Sequence, residues 1–266
     1  MACELSDDIE IVGLCDEFPD NTQGSFTQLK VPEVVTIPEQ KPDIEQVIQI
    51  LVEAKITNLR LIETPVGVSE EGQILTGEKL VIEGKIHQKV IYVADVSDGS
   101  QPVHSAEFDV PFSTFVVVPK CYIGLIKPGK EDIINVQACI ESVFIEQINS
   151  REVIKSSMLF INAIFPKATI TINNPLDGGE IDQGSVISIS GTASAGPLLD
   201  KVEVFVAGNL IGGEASMDLT TTIDYSIDWM VDVASPPAEQ KIEVKVFNCE
   251  GSKVASSEIN VTVVAP

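Results

Sequence analysis

The 266-residue chain has no run of eighteen apolar residues, few basic side chains, two histidines, one tryptophan, and cysteines that lack metal-site spacing. Each shortage removes a class of function. Without a long apolar run no helix crosses a membrane. The start Met1-Ala2-Cys3-Glu4-Leu5-Ser6-Asp7-Asp8 lacks the basic then apolar pattern of a signal peptide, so synthesis and release into a cytoplasm are expected. Seventeen Lys and Arg against forty Asp and Glu give a net charge of −23, and phosphate is gripped by clustered cations, so neither nucleic acid nor anionic membrane is an expected partner. The charge is spread as −6, −8 and −9 over residues 1–30, 31–166 and 167–266, which reads as a solvated surface.

Chemistry is equally short of raw material. His87 and His104 stand apart from any Ser or Cys nucleophile motif, so they read as surface imidazoles and not as parts of a triad. Gly72-Gln73-Ile74-Leu75-Thr76-Gly77-Glu78-Lys79-Leu80 approaches a phosphate-binding loop, but Glu78 stands at the lysine position and repels a phosphate, which leaves a turn. Gly191-Thr192-Ala193-Ser194-Ala195-Gly196 misses nucleophile-elbow spacing by one residue and reads as a loop. Asp177-Gly178-Gly179-Glu180-Ile181-Asp182 offers oxygen ligands without the spacing of an EF-hand, so no metal and no cofactor are expected, and the chain is not read as an enzyme.

What is present is alternation. The apolar fraction of 44% suits a folded protein, and the length suits two domains. Leu80 to Tyr92 places mostly apolar residues at even positions, and Ala106/Phe108/Val110/Phe112 and Ile134/Val136/Ala138/Ile140 repeat the period of two that marks half-buried strands. Asp98-Gly99 marks a hairpin turn between the first two. Pro38 and Pro42 bracket a turn, Asp43 and Gln46 have capping-box spacing, and Ile44, Val47, Ile48 and Leu51 recur at three and four, which predicts one amphipathic helix ending near Ala54.

After Pro166-Lys167 the texture changes to shorter strands between Gly, Pro and Asp clusters. Strands are predicted at 169–172, 186–190, 201–207, 223–229, 241–247 and 258–264, with inward sets Val202/Val204/Val206, Tyr225/Ile227/Trp229 and Ile242/Val244/Val246. That number over about one hundred residues is the size of an immunoglobulin-like sandwich. The predicted organisation is all-β: an acidic arm over 1–30, a β-sandwich domain with one short helix over 31–166, and an immunoglobulin-like sandwich over 167–266.

The arm holds Ile9, Ile11, Val12 and Leu14, a short strand suited to a sheet edge, either a neighbouring subunit's or none at all if the arm is a frayed tail. Cys3 and Cys15 in the arm and Cys121 beside a predicted strand end are candidates for an inter-subunit cross-link in an oxidising setting; the competing reading is free thiols in a reducing cytoplasm. Cys139 and Cys249 are expected as small buried apolar groups. An internal amide cross-link between Lys167 and Asn260 is a further possibility that lacks a visible partner acid.

Val31-Pro32-Glu33, Ile37-Pro38-Glu39-Gln40-Lys41-Pro42-Asp43-Ile44-Glu45-Gln46-Val47, Gly77-Glu78-Lys79-Leu80-Val81-Ile82-Glu83-Gly84 and Val110-Pro111-Phe112 resemble the SPOCS domain over roughly residues 29–166. Asn174-Pro175 and Ile189-Ser190-Gly191-Thr192-Ala193 resemble bacterial immunoglobulin-like modules. The SPOCS resemblance implies a non-catalytic protein of spore-forming Firmicutes, deposited at the spore surface. One SPOCS domain followed by one immunoglobulin-like module is similar to the major subunits of ribbon-like appendages on clostridial spores. It implies a self-assembling subunit whose partners are itself and other coat or appendage proteins. No LysM-type module accompanies it. The alternative is a monomeric adaptor that recruits coat proteins through an exposed sheet edge.

Overall fold

A computed structural model describes residues 9–17, 25–70, 72–233 and 235–266. The chain divides into two units: one contains the residues up to Val118 together with Lys127–Ile164, the other Pro119–Ile126 together with Phe165–Pro266. The second unit therefore takes a short segment from the middle of the first in sequence.

Unit one is built from β1 (Glu10–Val12), β2 (Ser25–Thr36), β3 (Asp43–Glu63), β4 (Gly67–Val68), β5 (Ile74–Leu75), β6 (Glu78–Asp95), β7 (Val103–Val117), β8 (Asn135–Gln147) and β9 (Glu152–Ile164). One sheet has the order β1-β3-β6-β7, another β2-β9-β8, and β4 pairs β5. The alternation in β6 is realised fully: Leu80, Ile82, Ile86, Val90 and Tyr92 have no exposed surface, while the residues between them are partly open. Inward residues of β2 and β9, among them Val31, Val35, Val153 and Leu159, complete the core. β6 and β7 form the hairpin expected around Asp98-Gly99, in continuous antiparallel register from Lys79↔Val117 to Val93↔Val103.

The predicted helix over 43–54 is not there. That segment is the first half of β3, and the described helical residues are two single 3-10 turns, Lys120–Tyr122 and Glu131–Ile133. The reason is visible in the ladder between β3 and β6, which shifts register between Ile44 and Gln46 and again between Val47 and Gln49. Each bulge inserts a residue and delays the return to the same face by one position. Ile44, Val47 and Ile50 thereby all face inward at a spacing of three, with 2% exposure or less. Two bulges in series imitate helical periodicity.

Unit two contains β10 (Thr169–Asn174), β11 (Glu180–Asp182), β12 (Val186–Val206), β13 (Asn209–Met230), β14 (Ala238–Asn248) and β15 (Lys253–Val264). The long β12 pairs along its two halves with different strands of one six-stranded sheet. Its first half, 186–194, pairs with β10 and with the second half of β13; its second half, 199–206, pairs with β14 and the first half of β13. β15 and β11 continue the sheet beyond β14. The stretch 191–196, expected as a loop, is the middle of this continuous strand, and the register shift between Ser194 and Leu199 spans Gly196, which has φ +77. Val202, Val204, Ile242, Val244, Val246, Tyr225 and Trp229 meet in one core, as the alternation predicted. This arrangement is an immunoglobulin-like sandwich, and the protein is all-β.

Candidate functional site

The arm residues come together at one sheet edge. β1 adds to β3 as a parallel strand, with Glu10↔Gln49, Ile11↔Ile50 and Val12↔Leu51 in register, and the Gln49 amide donates to the Glu10 carboxylate. Ile9 immediately precedes this strand. Val12 and Leu14 stay largely exposed. Gly13 follows with φ +105, and a Cβ there would lie 2.0 Å from the Val52 carbonyl oxygen, so only glycine lets the arm approach β3 so closely. The chain then reaches β8, where the Cys15 amide donates to the Ile140 carbonyl at 3.0 Å and Cys15 is disulfide-bonded to the buried Cys139.

The cysteine expectations need correction at four positions. Cys139 is not an isolated buried thiol but the partner of Cys15, 124 residues away. Cys121 is not a receiver for the arm: it is buried in the 3-10 turn of unit two and bonded to Cys249, with Cα atoms 5.6 Å apart. Cys249 is likewise paired, and its amide donates to the Leu198 carbonyl. Both bonds lie within one chain, whereas the sequence reading had Cys15 and Cys121 linking subunits. Cys3 lies outside the described residues. Beside Cys121, the Tyr122 hydroxyl donates to the Pro166 carbonyl at 2.7 Å and its ring packs 5.0 Å from that of Phe165; burial pushes the phenol pKa up to about 12.

The remaining candidates stay dispersed. His87 Nδ1 is 2.8 Å from one Asp109 oxygen while Lys85 donates to the other at 2.6 Å, all on the exposed face of β6 and β7. Lys85 and then His87 hold the Asp109 carboxyl below the usual carboxylate range. His104 stacks on Tyr92. Asp177 accepts from the Asn260 amide and forms a turn. Lys167 and Asn260, the pair considered for an amide cross-link, are both exposed. No group of three or more His, Cys, Asp or Glu among the described residues is placed to hold a metal ion. One shallow cleft of about 260 Å³ lies between Lys201, Glu203 and the edge residues Gly212–Glu214, where Lys201 and Glu203 are already paired at 2.6 Å.

The described surface instead offers open strand edges and exposed apolar side chains. Among the described residues β13 pairs with β12 alone, and it carries Leu210, Met217, Leu219 and Met230, each at least half exposed. A paired amphipathic sheet with such edges is the class of architecture that binds other chains through backbone hydrogen bonds.

Comparison with known families gives two matches. Residues 43–148 match the family model described as "SipL, SPOCS domain", and residues 169–245 match the one described as "Bacterial Ig domain". The chain thus carries a SPOCS domain followed by a bacterial immunoglobulin-like domain. No curated relative matches it. Among solved structures, the Clostridium thermocellum CbhA fibronectin(III)-like modules align at 13% identity over 36% of this chain and 98% of theirs, with a TM-score of 0.27. The titin Ig tandem A164-A165 aligns at 12% identity over 80% of this chain and 100% of its own, with a TM-score of 0.25. At such scores the likeness carries no argument, and the fold rests on the strand order above.

Proposed function

We propose that this protein is a structural subunit of the bacterial spore surface, not an enzyme, and that it assembles with copies of itself. The observation that carries this reading is the docking of β1 on the edge of β3. An edge that takes this strand from its own chain accepts the same strand from a neighbour, because the backbone bonds, the space over Gly13 and the reach of Cys15 to Cys139 are unchanged when the arm comes from another copy. Head-to-tail exchange of this kind does not close on itself, so it builds a fibre or ribbon. The open edge of β13 is available for lateral contact or for other coat proteins. The SPOCS match supports deposition at the spore surface, and the −23 charge keeps subunits apart until a specific edge engages.

The test is negative-stain electron microscopy of the full chain beside a non-reducing gel. Fibres that persist after reduction are the expected result. Deleting residues 1–17 with Cys139→Ser should leave folded monomers. Uniform monomers from the intact chain would instead favour the monomeric adaptor.

A further inference from the structure

Three strands of unit one put a polar residue where their alternation demands an apolar one. The inward set of β2 is Val31, Glu33, Val35; that of β9 is Val153, Lys155, Ser157, Leu159; and in β6 Gln88 stands between the fully buried Ile86 and Val90. Lys155, Ser157 and Gln88 have no exposed surface, and the Glu33 side chain retains 8%. Glu33 and Lys155 face each other in the β2–β9 ladder, while Gln88 comes from the middle of the other sheet.

Glu33 binds both neighbours at once. Lys155 Nζ lies 2.9 Å from Glu33 Oε1, and Gln88 Nε2 donates to Glu33 Oε2 at 2.8 Å. Nζ also donates to Ser157 Oγ at 3.0 Å. The Gln88 carbonyl oxygen, Oε1, is buried without a hydrogen-bond partner. Charges and unpaired polar atoms are costly in such a core, and nothing in the folding of a sandwich requires them. An amine, a carboxamide and a carboxylate that touches both, shut away from water, are the components of an amide exchange.

We infer that Lys155 and Gln88 join through an isopeptide bond, with Glu33 carrying the protons, so that β9 is tied covalently to β6 across the two sheets of unit one. Burial, outweighing the pull of Glu33, lowers the pKa of the Lys155 ammonium and favours the neutral, nucleophilic amine. One of the three Nζ protons passes to Glu33, which becomes a hydroxyl donor. The Gln88 amide turns its unpartnered Oε1 to that donor, and the polarised Cδ takes the Nζ lone pair. As the Nζ–Cδ bond forms, a second Nζ proton moves to Nε2, the Cδ–Nε2 bond breaks, and ammonia departs. The third proton stays on the new amide nitrogen, and Glu33 ends neutral. The products hold no buried charge, which together with the escape of ammonia drives the reaction forward. No oxidant, metal or enzyme is needed. The bond forms within each subunit and does not depend on the assembly proposed above.

The experiment is intact-mass spectrometry of the reduced full chain, followed by proteolysis. The expected wild-type mass is one ammonia below that of the sequence, with a joined peptide containing Gln88 and Lys155 and no cleavage after Lys155. Lys155→Met and the isosteric Glu33→Gln should restore the full mass, with far-ultraviolet circular dichroism and a cooperative urea transition reporting that each variant is folded. Folded wild-type protein with the full sequence mass and a freely cleaved Lys155 would overturn the inference and leave an ion pair. An ammonia loss mapped to another residue would overturn it equally, and the same bond found in Glu33→Gln would remove Glu33 from the chemistry.

Discussion

Gly191→Ala offers a test of the unit-two core in which the structure sets both the size and the location of the effect. Gly191 pairs with Ile172 on one side and with Tyr225 on the other. A Cβ there would lie 2.0 Å from the Thr171 carbonyl oxygen and 2.5 Å from the Tyr225 hydroxyl, the two atoms that form a 2.8 Å hydrogen bond. The clash with the backbone carbonyl is relieved only by a local opening of the β10–β12 ladder, and the phenol is displaced along with it. Overpacking of this kind costs about 1–3 kcal/mol. Losing the partner of a buried hydroxyl adds about 1 kcal/mol or more. A total near 3 kcal/mol is expected, enough to move a urea midpoint by about a molar unit or more. Trp229 is the chain's single tryptophan and belongs to this core, so its fluorescence reports the unfolding of unit two selectively. The sharper readout is the cycle with Tyr225→Phe. Alone, that change removes the hydroxyl and costs about 1 kcal/mol; in the Gly191→Ala background it should cost little, because the bond is already broken, a coupling of about 1 kcal/mol. A Gly191→Ala protein that melts with the wild type, or a double variant whose losses simply add, would refute the account of Gly191 as space reserved for Tyr225.

Two further outcomes follow from the same geometry. Burial pushes the phenols of Tyr122 and Tyr225 from an ordinary 10.0 up to about 12, so between those values the native state keeps protons that the unfolded state has lost, and stability falls as pH rises through the window. At about 1.4 kcal/mol per pH unit, the buried Tyr225 loses roughly 2 kcal/mol by its upper end and the half-buried Tyr122 less; Tyr225→Phe should flatten the alkaline decline seen by Trp229 fluorescence. The double variant Cys121→Ala, Cys249→Ala opens a bond between residues 128 apart and should lower the stability of unit two by about 2–5 kcal/mol, while reduction of the wild type should bring its urea midpoint to the variant's; an unmoved midpoint would show that the bond is not closed in solution.

Much of this architecture was legible because a strand states its faces locally. Residues two apart share a face whatever the strand packs against, so the inward sets of β6, β12, β13 and β14 could be read from the sequence one strand at a time. The helical spacing of Ile44, Val47, Ile48 and Leu51 misled, since a bulge changes the count without changing the residues, and only the partner strand reveals that a position has been skipped. The cysteines were visible as five separate residues and nothing more. Cys15 with Cys139 and Cys121 with Cys249 meet across more than a hundred intervening positions, and that meeting is decided by which strands become neighbours. Glu33, Gln88 and Lys155 could each be read as a polar break in an apolar face. The pairing of β2 with β9 brings Lys155 to the Glu33 carboxylate, and only the stacking of one sheet on the other adds Gln88. The sequence by itself determined period, polarity and charge, which depend on near neighbours along the chain, while the tertiary structure decided every property that depends on the pairing of distant strands: the edge that receives the arm, the partners of the cysteines, and the buried group with the means to react.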